Sequence, residues 1–403
     1  MQWKTPVLFL CLAAAALVLL ARLSPREEGI TVSYAPMAPV TLMIATDPHD
    51  FAPSLTDGGE AFLNVVTHAD GKYMQCIGEI TDALFDRAAE ERPAALILSG
   101  DLTFNGERES HEAFAARCAA LEEQGVPVLV LPGNHDLDRP DAVRFEGDQI
   151  TAVESVSAAD FRSLYAAFGY DEALSEDEHS LSYVYRLCDG LRILLVDCNT
   201  SGQDDTIPEE SFTWIESQLQ AAQAAGDRVI AVSHQTVLQH NSRFVDGFAI
   251  TNRERLLRLY RQYHVAVNLS GHMHIQHVRQ EGGLTEIVTG ALSVADCLCG
   301  ILRLTAESCD YTARSAAPAG LQAEATAFFR ENAFHQGMAA GDAASAEYLA
   351  DLNTAYFTGR MDLAERDETI LRRWRETDAF TISYIESLLE DLGRDFTRAE
   401  FTF

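Results

Sequence analysis

"HVAVNLSGHMHIQ", residues 264–276, is an apolar run of strand length that ends in a glycine and two histidines. In a continuing strand, alternate side chains point to the same face, so His272 and His274 would face the same way. In a loop that leaves the strand, the two imidazoles can converge on one bound group. A lone pair of this kind also fits two surface histidines, so the rest of the chain has to decide.

Similar apolar runs recur along the chain, and each ends in a polar or glycine-containing turn. They cover 40–46, 94–100, 126–133, 181–187, 191–197, 228–233 and 264–271. Helix-like stretches lie between several of them, at 72–91, 108–124, 209–225 and 252–262. This alternation predicts an α/β fold built in layers. Segments 138–180 and 235–250 are interpreted as loops or caps over the functional face.

The C-terminal part of the chain has a different pattern. Residues 318–403 show no strand-like run, and their apolar residues recur at helical spacing. The repeats are Tyr348, Leu349, Leu352 and Tyr356, then Ile385, Leu388, Leu389 and Leu392. We therefore expect three or four helices forming a C-terminal subdomain at 318–403, after a main domain at 39–310.

Polar side chains follow five of the predicted strands directly. They are Asp47 and His49, Asp101, then Asn134, His135 and Asp136, then His234, and finally His272 and His274. The carboxyl ends of strands form the functional edge of an α/β sheet. Taken singly, Asp47 could cap a helix, Asp101 could make a turn and His234 could be a core histidine. Taken together, they predict one rim that carries oxygen and imidazole ligands.

In this order, the blocks D-x-H, G-D, G-N-H-D, H and G-H-x-H resemble the calcineurin-like metallophosphoesterases over roughly residues 40 to 305. The resemblance implies a four-layer α/β/β/α sandwich with two metal ions. Position by position, it implies Asp47, His49 and His274 as ligands of one ion, Asn134, His234 and His272 as ligands of the other, and Asp101 as the bridge. It also implies that His135 contacts the phosphate and leaving group, and it makes Asn134 a candidate substrate contact as well.

The implied ligands also make chemical sense. Two divalent ions about 3.5–4 Å apart clamp an in-line phosphoryl displacement and acidify the bridging water that attacks phosphorus. Oxygen and nitrogen ligands without a thiolate suit Mn, Fe or Zn as divalent or trivalent ions. Asp136 could hold the imidazole of His135, or it could be a turn or supporting residue. Asn105 could donate to a phosphate oxygen, or it could simply form an Asn-Gly turn.

Two stretches resemble a narrower group, the bacterial class III cyclic-nucleotide phosphodiesterases. They are "GDLTFNGERESHEAF" at 100–114 and "PVLVLPGNHDLDRPDA" at 127–142. This resemblance ranks hydrolysis of a phosphodiester first, with cyclic nucleotides among the candidates. Hydrolysis of phosphomonoesters at the same site comes second. A non-catalytic scaffold with a vestigial metal site comes last, because none of the ligand positions is missing.

Charge and the N-terminus bear on partners and location. The chain has 61 acidic and 30 basic residues, a formal charge of -31, which argues against a nucleic-acid polymer and leaves a small phosphoester as the expected partner.

Residues 5–21, "TPVLFLCLAAAALVLLA", predict a signal anchor or signal peptide at 1–21 and a linker at 22–38. We therefore expect an extracytoplasmic protein, tethered to the membrane or secreted. The sequence carries no feature that sets the oligomeric state.

Overall fold

The computed structural model describes residues 34–67, 71–200 and 205–402. The predicted signal segment at 1–21 and most of the predicted linker lie outside the described residues. Within the described ranges, no helix combines the length and the hydropathy that crossing a bilayer requires. Residues Ala35–Phe403 form one compact unit.

The strands and helices alternate along the first three quarters of the chain, as the sequence predicts. The strands are β1 Val40–Ala45, β2 Ala95–Ser99, β3 Val128–Leu131, β4 Val143–Glu146, β5 Gln149–Ala152, β6 Ser175–Glu176, β7 Tyr183–Cys188, β8 Leu191–Val196, β9 Arg228–Ser233, β10 Val267–Ser270, β11 His277–Glu281, β12 Leu284–Val288, β13 Leu298–Leu304, β14 Ser308–Ser315 and β15 Arg398–Thr402. The α-helices are α1 Glu60–Val66, α2 Ile77–Glu91, α3 Arg108–Glu122, α4 Ala158–Leu164, α5 Ser211–Ala225, α6 Arg253–Gln262, α7 Ala319–Ala340, α8 Ala343–Phe357, α9 Glu368–Thr377 and α10 Ala379–Leu388.

Within the described ranges, the long strands form two mixed sheets, and β4 and β5 form a separate hairpin. The first sheet has the order β15-β14-β13-β1-β2-β3, and the second has the order β11-β12-β10-β9-β8-β7-β6. Strands β1, β2 and β3 run parallel, and so do β8, β9 and β10. The carboxyl ends of each parallel set therefore lie at one edge of its sheet.

Alternate residues of β8 show how the layers stack. Ile193 and Leu195 belong to the core that β8 shares with the first sheet, while Leu194 and Val196 pack with residues of α5 and α6. Strand β2 is buried along its whole length, so both of its faces are covered. Helices α2 and α3 contribute Leu84 and other residues to the core of the first sheet. The predicted four-layer α/β/β/α sandwich is confirmed.

The structure differs from the sequence prediction in two segments. Residues 138–180 contain the β4–β5 hairpin, α4 and the short strand β6 rather than loops alone. The C-terminal helices α7–α10 are confirmed, but the expectation of no strand after residue 318 is wrong, because β15 pairs with β14. Strand β15 is short and alternates exposed and half-buried residues, so its sequence gives only a weak strand signal. Strand β14 runs through residue 310, and the domain boundaries stay predictions.

Candidate metal centre

The carboxyl ends of β1, β2, β9 and β10 bring two groups of ligand atoms together. Among the described residues, potential ligand atoms of Asp47, His49, Asp101 and His274 lie within 4.8 Å of one another. Those of Asp101, His234 and His272 do the same, so Asp101 belongs to both groups. Sequence positions up to 227 residues apart converge because the two parallel sets of strands end at the same place in the fold.

The first group surrounds the carboxylate oxygen Oδ1 of Asp47. Oδ1 of Asp47 is buried without a hydrogen-bond partner among the described residues and lies 3.4 Å from Nε2 of His274. Nε2 of His274 also lies 3.2 Å from Nε2 of His49. A buried carboxylate oxygen without a partner costs free energy, and a cation placed among these atoms removes that cost. The group therefore fits a metal ion.

The second group is oriented by backbone carbonyls. Nδ1 of His234 donates to the carbonyl of Ser99 at 2.8 Å, which leaves Nε2 facing Oδ1 of Asn134 at 3.2 Å. Nε2 of His272 donates to the carbonyl of Gly247 at 2.8 Å, which leaves its Nδ1 as the available ligand atom. A metal-binding histidine is commonly fixed in tautomer and orientation by such a bond from its other ring nitrogen.

Asp101 occupies the position between the two groups. Its Oδ2 lies 3.3 Å from Nε2 of His234 and 3.7 Å from Nε2 of His49. Its Oδ1 accepts a hydrogen bond of 2.8 Å from the backbone N–H of His135, which fixes the carboxylate plane. The loop that holds His135 approaches this closely because residue 133 is glycine, whose missing Cβ would overlap the Asp101 carboxylate. One carboxylate can therefore serve both groups.

Several of the site residues adopt a backbone conformation that only glycine adopts easily. The φ angles are 51° at Asp47, 48° at His49, 50° at Asp101, 66° at His272 and 58° at His274. A left-handed conformation is uncommon outside glycine, although Asn, Asp and His tolerate it best. Such strain persists only where the surrounding fold enforces it, and it concentrates at functional sites.

The electrostatics of the cluster favour bound positive charge. Burial alone would raise the pKa of the Asp101 carboxyl, but the imidazoles of His234 and His135 hold this pKa well below its ordinary value. Burial opposes a charged His234, yet the carboxylates of Asp101 and Asp47 raise its pKa to about 10. The carboxylates thus gather positive charge, which a metal ion can supply in place of a proton.

Comparisons with known proteins agree with this geometry. A family model described as calcineurin-like phosphoesterase matches residues 40–276, more than half of the chain. The chain belongs to the calcineurin-like phosphoesterase family. The two ligand groups that share Asp101 fit a dimetal site built from Asp and His ligands.

Individual relatives match parts of this chain. A "probable cyclic nucleotide phosphodiesterase" from Rhodococcus erythropolis is 29% identical over 193 residues, 46% of this chain and 53% of the relative. The chain thus spans about half the length of that curated relative. A dimetal phosphatase from Danio rerio has 15% identity and a TM-score of 0.50, covering 70% of this chain and 98% of its own, and it shares the fold. A purple acid phosphatase from yellow lupin has 15% identity and a TM-score of 0.44, covering 70% and 53%.

His135 lies at the rim of the candidate metal centre. Its Nδ1 lies 2.9 Å from Oδ1 of Asn105 and 3.0 Å from the carbonyl of Phe104, so Nδ1 carries the proton that both oxygens accept. Its ring centroid is 5.0 Å from that of His49, and the residue is only partly buried. Asn105 therefore orients His135, a role that neither sequence interpretation of Asn105 contained. The pairing leaves Nε2 of His135 as the atom that can reach a substrate.

The Asp136 carboxylate binds backbone N–H groups, while the imidazole of His135 bonds to Phe104 and Asn105. The carboxylate accepts hydrogen bonds from the N–H groups of Leu102 at 3.0 Å, Thr103 at 3.0 Å and Gly133 at 2.8 Å. Burial and the nearby Asp101 raise the pKa of Asp136 to about 7. The interpretation that Asp136 holds the imidazole of His135 is corrected, and the supporting role matches these contacts. Through these hydrogen bonds, Asp136 connects the loop after β2 to the loop after β3.

We expect Asp136→Ala to destabilise the protein by about 3 kcal/mol or more, because several buried N–H groups lose their acceptor together. Chemical denaturation followed by circular dichroism measures this change. Asp148→Ala, at an exposed turn, is the matched control and should change stability by less than about 0.5 kcal/mol. Equal stability of the two variants would contradict the supporting role.

Lys72 also belongs to this region, and the sequence does not predict it. Lys72 is 6% exposed, and its positive charge acts on both His49 and His135. It lies between strands, in a segment that the sequence assigns to a helix, so no motif marks it. The sequence feature that could have marked Lys72 is the rarity of lysine, since the chain contains only one other lysine, Lys4.

Proposed function

We propose that this protein hydrolyses phosphodiesters with a pair of transition-metal ions, and that cyclic nucleotides are the class to test first. The observation that carries the proposal is the pair of ligand groups that share Asp101. When bound, such a metal pair neutralises charge on the phosphoryl oxygens and activates a water as the nucleophile. The mixed oxygen and nitrogen donors suit Mn, Fe or Zn.

The side chains of this chain then have distinct tasks. Asp101, His234 and His272 are held in fixed orientations by backbone hydrogen bonds, so the centre is organised before substrate arrives. His135 reaches the substrate through Nε2, and the ring protonated at both nitrogens can donate its Nε2 proton to the leaving oxygen while Asn105 fixes the ring. Hydrolysis by this route therefore requires both the metal ligands and His135.

The choice of a diester rests on the relative and on the two stretches at 100–114 and 127–142. The relative from Rhodococcus erythropolis is described as a probable cyclic nucleotide phosphodiesterase, and its match covers 46% of this chain. The net charge of -31 disfavours a polymeric nucleic acid as substrate. A small diester fits both observations.

The test compares bis-p-nitrophenyl phosphate with p-nitrophenyl phosphate on metal-loaded protein, with Mn added. We expect the larger kcat/KM for the diester, and chelation of the metal should remove both activities. A larger value for the monoester would replace the proposal with phosphomonoester hydrolysis. Hydrolysis of neither ester would favour a scaffold role. A panel of cyclic nucleotides, linear dinucleotides and lipid head-group diesters then identifies the natural class.

A further inference from the structure

Lys72 is a buried cation near the metal centre. It has no role in the reaction proposed above. Of the 30 basic residues in the chain, only Lys4 and Lys72 are lysines, and the rest are arginines. Lys72 is 6% exposed. Lysine is seldom buried to this degree without a partner of opposite charge, because transferring an ammonium out of water costs free energy. Its position therefore needs an explanation.

The backbone on both sides of Lys72 is fixed to the centre and to the C-terminal helices. Tyr73 donates its N–H to the carbonyl of Ser293 at 2.7 Å, and the hydroxyl of Ser293 donates to the carbonyl of Asp47 at 2.8 Å. Gly71 has a φ of 78° and packs so closely on the ring of Phe329 in α7 that a Cβ would overlap it. The backbone next to Lys72 is thus linked through Ser293 to the backbone of the ligand Asp47.

The charge of Lys72 acts on two histidines of the centre. Burial lowers the pKa of His49 well below its ordinary value, and the largest electrostatic contribution in the same direction comes from Lys72. Burial also lowers the pKa of His135, where Asp101 opposes the shift and Lys72 reinforces it. Within the described residues, the Lys72 ammonium forms no ion pair with a carboxylate. Lys72 is therefore a buried cation without a paired carboxylate among those residues, and its charge acts on His49 and His135.

We propose that Lys72 binds a non-bridging oxygen of the substrate phosphoryl group, and that its contribution to binding grows with the negative charge of that group. The proposal rests on the proposed function, in that the substrate is a phosphoester. A substrate oxygen supplies the counter-charge that the buried ammonium needs. Lysine serves phosphate as a compact point charge, and its attraction grows with the charge of the phosphoryl group. A monoester or inorganic phosphate should therefore depend on Lys72 more than a diester does.

The kinetic test compares Lys72→Met and Lys72→Arg with the unmodified protein. We expect Lys72→Met to lower kcat/KM for p-nitrophenyl phosphate by about 10–100-fold, as for loss of one hydrogen bond to a charged group, and by less for the diester. The inhibition constant of inorganic phosphate should rise by a similar factor, and Lys72→Arg should recover part of each loss. Arg375→Met, which removes a surface charge on α9, should change none of these values.

A second readout is independent of hydrolysis. Labelling with 13Cε-lysine gives signals from Lys4 and Lys72 alone, and Lys72→Arg assigns them. On Zn-loaded protein, we expect the Lys72 signal to shift saturably with inorganic phosphate while the Lys4 signal stays in place. An unchanged Lys72 signal, or equal kinetic losses for both esters, would overturn the proposal even in an active enzyme. A shift in a protein that hydrolyses no phosphoester would instead sustain the phosphate contact and reject the proposed function.

Discussion

Asp101→Asn should abolish the loading of two metal ions and lower hydrolysis by about 10³-fold or more, since even a single electrostatic stabiliser contributes about 10²–10³-fold. The variant keeps an oxygen that can accept the hydrogen bond from the N–H of His135, so the loop after β3 can retain its position. It loses the negative charge that lies between His49 and His234. Elemental analysis of dialysed protein, together with kcat for the better nitrophenyl ester, measures both losses.

Asp148→Asn is the matched control for this substitution, because it makes the same change at an exposed turn between β4 and β5. It should retain both metal ions and full activity. Circular dichroism of each variant shows whether the fold is intact. An Asp101→Asn protein with an unchanged metal content would contradict the shared position of this carboxylate, and the two ligand groups would then act separately.

Much of the site is predictable because its residues follow buried strands directly. The runs at 40–46 and 94–100 are almost entirely apolar, so their ends are visible in the sequence, and Asp47 and Asp101 follow at once. The topology then brings these ends together, because parallel neighbours in a sheet end at the same edge. The same reasoning places His234 and His272 after β9 and β10.

The remaining features depend on contacts between segments that are distant in sequence. The bond from His135 to Asn105 joins loops after different strands, so adjacency in sequence pointed instead to Asp136. Lys72 is positioned through Ser293 and Phe329, more than 200 residues later. Strand β15 is defined by its pairing with β14 rather than by its own polar sequence. No local pattern encodes these tertiary relations.

His135→Ala should retain both metal ions and lower turnover by about 10²–10⁴-fold, the range typical of a general acid or base. Nδ1 of His135 is committed to Asn105 and Phe104, so the ring contributes to substrate chemistry through Nε2 rather than to metal binding. Metal content by elemental analysis and kcat with a diester of a poor leaving group, such as a cyclic nucleotide or an alkyl ester, measure the two expectations.

The leaving group separates a proton donor from a residue that only binds the phosphate. Nitrophenolate needs little protonation as it leaves, so His135→Ala should cost less with nitrophenyl esters than with alkyl esters if Nε2 supplies the proton. Asn105→Ala frees the ring without removing it, and we expect an intermediate loss of about tenfold with the same dependence on the leaving group. Equal losses for both kinds of ester would reduce His135 to a binding contact. Loss of metal from His135→Ala would show that it is a ligand.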